Sequence, residues 1–229
     1  MYETLEILRE AGVATIWMNR PDVHNAFNEQ LIAELTAACQ ALDADDAVRV
    51  VVLAGRGKSF SAGADLNWMR RAAGAPVEAN LADARKLAGM LRTLAELNKP
   101  TIARVHGAAL GGGMGLASAC DICIAGEGAV FATSEVRFGI IPSAIGPYVI
   151  RAIGARQAGR YFQTAERISA PRARELGLAH EVVAADALDA KVAEIVGALL
   201  QGGPCSQGAA KALIRSEEHT SELQSRQVI

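Results

Sequence analysis

Two apolar runs constrain the fold most, because each is typical of a buried strand. A glycine-containing turn follows each run. Residues 48–54 are almost continuously apolar, and residues 101–106 form a second such run. Runs of this kind are typical of strands covered on both faces, as in parallel sheets flanked by helices. Amphipathic helical patterns at 28–44 and 79–97 alternate with them. The chain is therefore predicted to adopt an α/β fold with mixed sheets.

The domain organisation is predicted to be simple. Strand-like runs at 4–9 and 13–18 flank a turn signal and predict a hairpin. No linker, tandem repeat or low-complexity block interrupts residues 1–214, so one domain is expected there. Residues 215–225 read Arg-Ser-Glu-Glu-His-Thr-Ser-Glu-Leu-Gln-Ser, which resembles the in-frame translation of a DNA-sequencing adapter. We therefore expect 215–229 to be artefactual and the natural C-terminal helices to be missing, the alternative being a natural polar tail.

Composition excludes several classes of function. The net charge is −2 and no basic run occurs, so neither a nucleic-acid surface nor an anionic membrane partner is expected. No signal peptide and no apolar stretch of about 20 residues is visible, which favours a cytoplasmic location. The four cysteines do not form a disulfide framework, and the Cys120-x-x-Cys123 pair lacks a second ligand pair. No metal site is predicted, and the thiols are expected to be buried.

Two glycine-containing turns are the candidate functional elements. Gly111-Gly112-Gly113 follows a predicted strand and opens a helix, so its amides are unpaired at the positive end of the helix dipole. Such amides suit a phosphate, a carboxylate or a developing oxyanion, although the same glycines also permit close helix–sheet packing. Residues 61–66, Ser-Ala-Gly-Ala-Asp-Leu, form a similar turn. Two such turns can direct two amides at one oxygen, which favours enolate or tetrahedral-intermediate chemistry.

The order of motifs along the chain adds a specific resemblance. The motifs are Asn-Arg-Pro at 19–21, Asn-Ala-Phe at 25–27, and the segments 60–66, 107–113, 120–122 and 134–142. Together they resemble the signature of the enoyl-CoA hydratase/isomerase (crotonase) family, from about residue 2 to residue 214. The resemblance implies a spiral of strand–strand–helix units with a helical C-terminal part, usually assembled as a trimer or a dimer of trimers. It also implies an acyl-CoA substrate and no separate cofactor, since coenzyme A belongs to the substrate.

The same resemblance assigns roles to individual residues. It implies an oxyanion hole made by the backbone amides of Ala64 and Gly112, with Glu135 as the catalytic carboxylate. His24 either approaches a phosphate or faces solvent. The residues implied to bind the substrate are Asn25, Ala26, Ala62, Ala64, Asp65, Leu66, Asn67 and Gly112.

One position departs from the family pattern. Hydratases of the family use two glutamates, of which the second corresponds to Glu135 and the first to Gly115. Three outcomes are open: Glu135 acts alone, another group or a water chain substitutes, or the protein binds acyl-CoA without hydrating it. For Glu135 itself, a buried carboxyl with a raised pKa is expected, the alternative being a surface ion pair with Arg137.

Three further segments narrow the resemblance. Residues 65–71, 134–137 and 143–149 look most like bacterial methylglutaconyl-CoA hydratases of leucine and isovalerate breakdown, which have relatives in acyclic-terpene catabolism and also lack the first glutamate. A hydratase for a branched, carboxylated enoyl-CoA is therefore expected. The alternatives are an isomerase that uses one glutamate and a non-catalytic acyl-CoA-binding protein, while RNA binding is disfavoured by the charge.

The remaining candidates have structural explanations. His106 is predicted to be a satisfied core residue. Trp68 and Met69 either line the acyl pocket or pack beneath it. Arg151, Arg156 and Arg160 are expected to form a solvated helix face, the alternative being contact with a phosphate.

Overall fold

The computed structural model describes residues 2–226 of the chain, and side chains within residues 2–216. The strands are β1 (Leu5–Glu10), β2 (Val13–Met18), β3 (Val50–Gly55), β4 (Thr101–Val105), β5 (Ala108–Leu110), β6 (Ile122–Gly126), β7 (Val130–Ala132), β8 (Ile168–Ser169) and β9 (Glu181–Val183). The helices are α1 (Glu29–Asp43), α2 (Leu66–Ala73), α3 (Val77–Ala95), α4 (Gly112–Ala119), α5 (Gly146–Thr164), α6 (Ala170–Glu175), α7 (Leu188–Leu200) and α8 (Pro204–Arg226). Short 3-10 turns occupy Pro21–Val23, Glu135–Phe138 and Ala185–Ala187.

The strands form two sheets that confirm the predicted α/β class. The larger sheet has the order β1-β2-β3-β4-β6-β9, in which only β1 and β2 pair antiparallel. The predicted hairpin is present, with Leu5 opposite Met18. The smaller sheet has the order β5-β7-β8 and pairs β5 with β7 in parallel.

The continuous apolar run of β3 is explained by apolar cover on both faces of the larger sheet. All six residues of β3 are buried. The main core cluster packs on one face beneath α1 and α3, and includes Val51 and Leu53. A smaller cluster that includes Val50 and Val52 packs on the other face beneath α7. Alternate residues of the strand therefore enter two different apolar clusters, which a strand exposed on one face would not tolerate.

The first helix begins where its capping residue predicts. The side chain of Asn28 accepts a hydrogen bond from the Leu31 amide at 2.9 Å, which satisfies one of the free donors of the first turn. Leu35 and Leu42 lie fully buried on the inner face of α1. Helix α1 thereby packs against α3 across the core.

Two loops that leave neighbouring parallel strands are joined by backbone hydrogen bonds. Ser61, in the loop after β3, pairs with Ala109 of β5 in a parallel bridge. The Ser61 amide donates to the Ala108 carbonyl at 3.0 Å, and the Leu110 amide donates to the Ser61 carbonyl at 2.9 Å. These bonds bring the turn at 61–66 against the turn that opens α4.

Helix α8 is fixed to the sheet by a buried charge. The Lys211 ammonium lies 2.7 Å from Asp121 and donates to the Lys99 carbonyl at 2.9 Å. The helix runs on to Arg226, so the expected boundary at 214/215 lies inside it, and residues 227–229 of the expected tail lie outside the described residues. Within residues 2–226, no helix is long and apolar enough to cross a membrane.

Candidate active site

The turn at 61–66 and the turn at 111–113 come closest to each other at Gly63 and Gly112. A Cβ on Gly63 would lie 2.7 Å from the Leu110 carbonyl oxygen and 3.3 Å from the Gly112 nitrogen. Among residues 2–226, neither the Ala64 N–H nor the Gly112 N–H has a hydrogen-bond partner. Both residues are half-buried and reach solvent. Two free donors are thus presented from adjoining turns, as the sequence predicts.

Phe27 connects the two turns physically. Its amide donates to the Gly63 carbonyl and its carbonyl accepts from the Asp65 amide at 2.8 Å, which pairs Phe27 with Ala64. Its ring stands over α4, because a Cβ on Gly112 would lie 2.5 Å from Phe27 Cε2. Phe27 therefore fixes the spacing between the Ala64 turn and the start of the helix.

The backbone at the start of α4 needs glycine at one position. Gly111 precedes the helix with φ 50° and ψ −119°, a conformation that side chains oppose. Its amide donates to the Ala132 carbonyl of β7 at 2.7 Å. The turn is therefore held by the smaller sheet, and the next amide, that of Gly112, is left free.

Glu135 lies beside this turn, at the start of the 3-10 segment after β7. A Cβ on Gly111 would lie 3.3 Å from Glu135 Oε1. Burial of the carboxyl raises the pKa of Glu135, and the backbone amides of Glu135 and Ser134 offset only part of this effect. Oε2 is buried and, among the described side chains, has no hydrogen-bond partner. Arg137 donates instead to the Ala165 carbonyl at 2.8 Å, so the alternative of an Arg137 ion pair is not observed.

Gly115 faces a side chain that fills the space next to it. A Cβ on Gly115 would lie 2.3 Å from Ile145 Cγ2 and 2.8 Å from Ile145 Cβ. Ile145 is 2% exposed. A carboxylate side chain at position 115 would therefore require Ile145 to move. Ile145 occupies the space that the first glutamate of the family pattern would take.

Asp65 has a structural role in addition to its predicted one. Its Oδ1 accepts from the Asn67 and Trp68 amides and caps α2. Its Oδ2 lies 3.1 Å from the Arg20 guanidinium, which also donates to the Ala26 carbonyl. Burial raises the pKa of Asp65, but these hydrogen bonds and the Arg20 charge outweigh it, and the pKa is lowered overall.

The other predicted substrate-binding residues differ in accessibility. Leu66 and Asn67 are exposed and Ala62 is half-buried, so all three can meet a ligand. Asn25 is fully buried, and Ala26 is 6% exposed. Because the Asn25 side chain is bonded to protein backbone, a ligand would reach this segment through neighbouring atoms.

The remaining candidate side chains have protein partners or pack in the core. His24 is exposed, with Nδ1 3.1 Å from Ser59 Oγ. His106 is half-buried, with Nε2 2.9 Å from the Gly57 carbonyl. Trp68 is buried in the main core, which favours packing. No group of three or more potential metal ligands occurs in the described part of the chain. A cleft of about 510 Å³ between α1 and residues 93–98 contains none of the predicted site residues.

Three residues of the site escaped sequence reasoning. Arg20, Phe27 and Ile145 all stand in segments that carried the resemblance, but no local pattern shows which atoms they contact. Phe27 and Gly112 are far apart in sequence, as are Ile145 and Gly115. Only the tertiary fold reveals these pairs.

An α/β fold with two free backbone amides near a half-buried carboxyl is an arrangement typical of enzymes that act through an oxyanion. Comparison with known proteins narrows the class. The family model "Enoyl-CoA hydratase/isomerase" matches residues 8–228. The chain belongs to the enoyl-CoA hydratase/isomerase family, which confirms the resemblance found in the sequence.

Individual relatives support this assignment. A protein of Rhizobium meliloti described as "Probable enoyl-CoA hydratase" is 42% identical over 188 residues, covering 82% of this chain and 71% of the relative. The 2,3-dehydroadipyl-CoA hydratase of Escherichia coli is 34% identical over 95% of this chain and 84% of its own length. The crystal structure of an enoyl-CoA hydratase from Shewanella pealeana superposes with a TM-score of 0.91 at 42% identity, covering 98% of this chain and 88% of that one.

Proposed function

We propose that the protein hydrates an α,β-unsaturated acyl-CoA thioester, with Glu135 as the acid–base group. The observation that carries the proposal is the Glu135 carboxyl next to the turn that presents the free Gly112 amide. Its Oε1 faces Gly111, and its Oε2 is buried without a hydrogen-bond partner among the described residues. Family membership and relatives named as hydratases support the same reaction.

The reaction balances with one carboxylate. Glu135 takes a proton from a water molecule while the water oxygen bonds to the β-carbon of the substrate. The electron pair of the double bond moves into the thioester carbonyl and forms an enolate, whose oxygen is stabilised by the Ala64 and Gly112 amides. The protonated Glu135 then returns its proton to the α-carbon, the enolate collapses, and the original carboxylate is restored. The raised pKa suits Glu135 for both transfers, because a base whose pKa approaches the working pH also donates readily.

A branched, carboxylated substrate such as 3-methylglutaconyl-CoA is the specific form of this proposal. Its support is the resemblance of segments 65–71, 134–137 and 143–149, together with a relative whose named substrate, 2,3-dehydroadipyl-CoA, is also a carboxylated enoyl-CoA. A cytoplasmic location and a homotrimer or dimer of trimers belong to the same proposal. Exposed apolar side chains at Phe138 and Ile141 are compatible with an assembly.

One observation favours a second candidate function. Position 115 is a glycine, and Ile145 fills the space that a second carboxylate side chain would need there. One carboxylate is sufficient to move a proton between two carbons of the same acyl chain. The alternative is therefore an enoyl-CoA isomerase that uses Glu135 alone.

The test follows the conjugated-thioester absorbance with 3-methylglutaconyl-CoA and crotonyl-CoA. We expect the absorbance to fall with the wild-type protein, and Glu135→Gln to abolish the change while ester binding persists. Glu127→Gln, in an exposed turn after β6, is the matched control and should retain full activity. A 3-enoyl-CoA should gain the same absorbance if isomerisation is the true reaction. Tight ester binding with neither change would contradict both reactions and leave a binding protein.

A further inference from the structure

Helix α4 contacts both ends of one short segment that carries Glu135. At the start of this segment, Glu135 Oε1 and Ser134 Oγ lie 3.3 and 3.5 Å from a Cβ placed on Gly111. At its end, Ile145 Cγ2 lies 2.3 Å from a Cβ placed on Gly115. Gly111 and Gly115 are one helical turn apart, since the Gly115 amide donates to the Gly111 carbonyl at 3.0 Å. The segment 134–145 therefore runs alongside α4 with a contact at each end.

Between these two contacts, Arg137 donates to the Ala165 carbonyl at 2.8 Å, while three apolar side chains lie largely in solvent. Phe138, Ile140 and Ile141 are 55%, 50% and 73% exposed. Pro142 and Ile145 are the buried residues between Glu135 and the start of α5. Of the two, Ile145 contacts the catalytic helix through its β-branched methyl group, at a position where only glycine leaves room for it.

The upstream end of the segment is already fixed by the smaller sheet. Gly111 bonds to Ala132 of β7 at 2.7 Å, and β7 pairs with β5. The downstream end is held differently: the Gly146 amide donates to the Pro142 carbonyl at 2.7 Å, and the Ile145 side chain packs on Gly115. A small change in how Ile145 rests on Gly115 would therefore be transmitted along the segment to the carboxyl of Glu135.

We propose that Ile145, seated on Gly115 through Cγ2, is a positioning residue that holds Glu135 against the turn at Gly111–Gly112. The inference rests on the proposed function, because positioning matters only if Glu135 acts on the substrate. Gly115 thereby has a role of its own, because its missing side chain leaves room for Ile145, which positions the Glu135 carboxylate.

Two substitutions separate this role from simple core filling. Ile145→Val is smaller but keeps Cγ2, whereas Ile145→Leu keeps the volume but loses the methyl at that branch. We expect Ile145→Val to retain kcat, and Ile145→Leu to lose roughly 10- to 100-fold in kcat with little change in KM, since a misplacement of about 1 Å can cost 10²-fold. A residue that only fills space would give the opposite ranking, with Leu nearer to wild type than Val.

A second pair of variants tests whether relief of the steric clash alone is enough for activity. Gly115→Ala should lower kcat, because its methyl would press on Ile145. Adding Ile145→Gly removes the clash, because the new methyl then meets only the Ile145 Cα position at 3.7 Å. It also removes Cγ2, so kcat should stay low, and full recovery of kcat in the double variant would contradict the positioning role.

A second readout does not depend on turnover. The side-chain carboxyl of Glu135 can be titrated by ¹³C NMR, with Glu135→Gln providing the assignment. We expect Ile145→Leu to let the carboxyl shift toward solvent, which moves the raised pKa of Glu135 toward its ordinary value, and Ile145→Val to leave it raised. If the wild type lacks turnover, the proposed function fails, while the titration still tests the positioning. Equal kcat and equal titration for the Val and Leu variants would overturn the inference.

Discussion

Adding one methyl group to Gly112 tests the geometry of the two free amides. In Gly112→Ala, the new Cβ would lie 2.5 Å from Phe27 Cε2 and 2.9 Å from Cδ2. Ordinary contact begins near 3.4 Å, so the ring or the turn must move by about 1 Å. Phe27 is 1% exposed and has no free space to enter. We expect a loss of roughly 1–3 kcal/mol in the free energy of unfolding from overpacking. Displacement of one oxyanion donor should lower kcat by roughly 10²–10³-fold.

The assay is urea unfolding together with kcat for crotonyl-CoA. Gly159→Ala in α5 is the matched control, because its new methyl would meet nothing within 4 Å. It should keep kcat and gain roughly 0.5–1 kcal/mol in stability from helix propensity. Combining Gly112→Ala with Phe27→Leu removes the clashing ring edge and should relieve part of the loss caused by the methyl. Wild-type kcat in Gly112→Ala would refute the proposed donor role of this amide.

Three further predictions concern charge and thiol chemistry. A raised folded-state pKa means that Glu135 contributes stability at pH values below its ordinary pKa of 4.5, and that this contribution is lost as the pH rises through the raised pKa. Glu135→Gln should therefore unfold at a higher temperature than wild type at pH 7, and this difference should shrink at pH 4. Asp65→Ala should cost roughly 1–2 kcal/mol at pH 7 through loss of the α2 cap. Since the pKa of Asp65 is lowered, its contribution should fade as the pH drops below 3.8, which urea unfolding at pH 7 and pH 3 would show. Among the four free cysteines only Cys205 is exposed, and burial raises the pKa of Cys39 and of Cys123 to about 12. A thiol reagent should therefore modify one cysteine quickly in the native state and all four after unfolding.

Elements whose sequence pattern lies within their own segment could be predicted, whereas elements that depend on pairing with a distant segment could not. The apolar runs predicted β3 and β4, because burial on both faces marks a strand along its own length. The three-residue strand β5 was not recognised, since it owes its structure to pairing with β7 rather than to any periodicity. The helix predicted at 79–97 lies at Val77–Ala95, within the usual error for helix ends.

The candidate site also has features that local sequence predicts and contacts that it does not. The glycine turns could be found from sequence, because a strand, glycines and a helix follow one another along the chain. The expected burial of Glu135 holds for its carboxyl, whose pKa is raised by burial, whereas the residue as a whole is half-buried and its apolar neighbour Phe138 is 55% exposed. The contacts of Phe27 with Gly112 and of Ile145 with Gly115 join distant residues through shape alone. Shape complementarity of this kind leaves no repeating pattern in a single sequence.

The buried side chain of Asn25 has a consequence for ligand association. It donates to the Arg56 and Ser59 carbonyls at 2.9 and 2.8 Å and accepts from the Arg20 amide at 2.9 Å. These bonds tie the 20–27 loop to the loop that leads to Ala64 through protein atoms alone. The conformational entropy of both loops is therefore lost during folding rather than during binding. An arriving thioester meets a preorganised edge there, and its binding free energy is not reduced by the cost of ordering that part of the backbone.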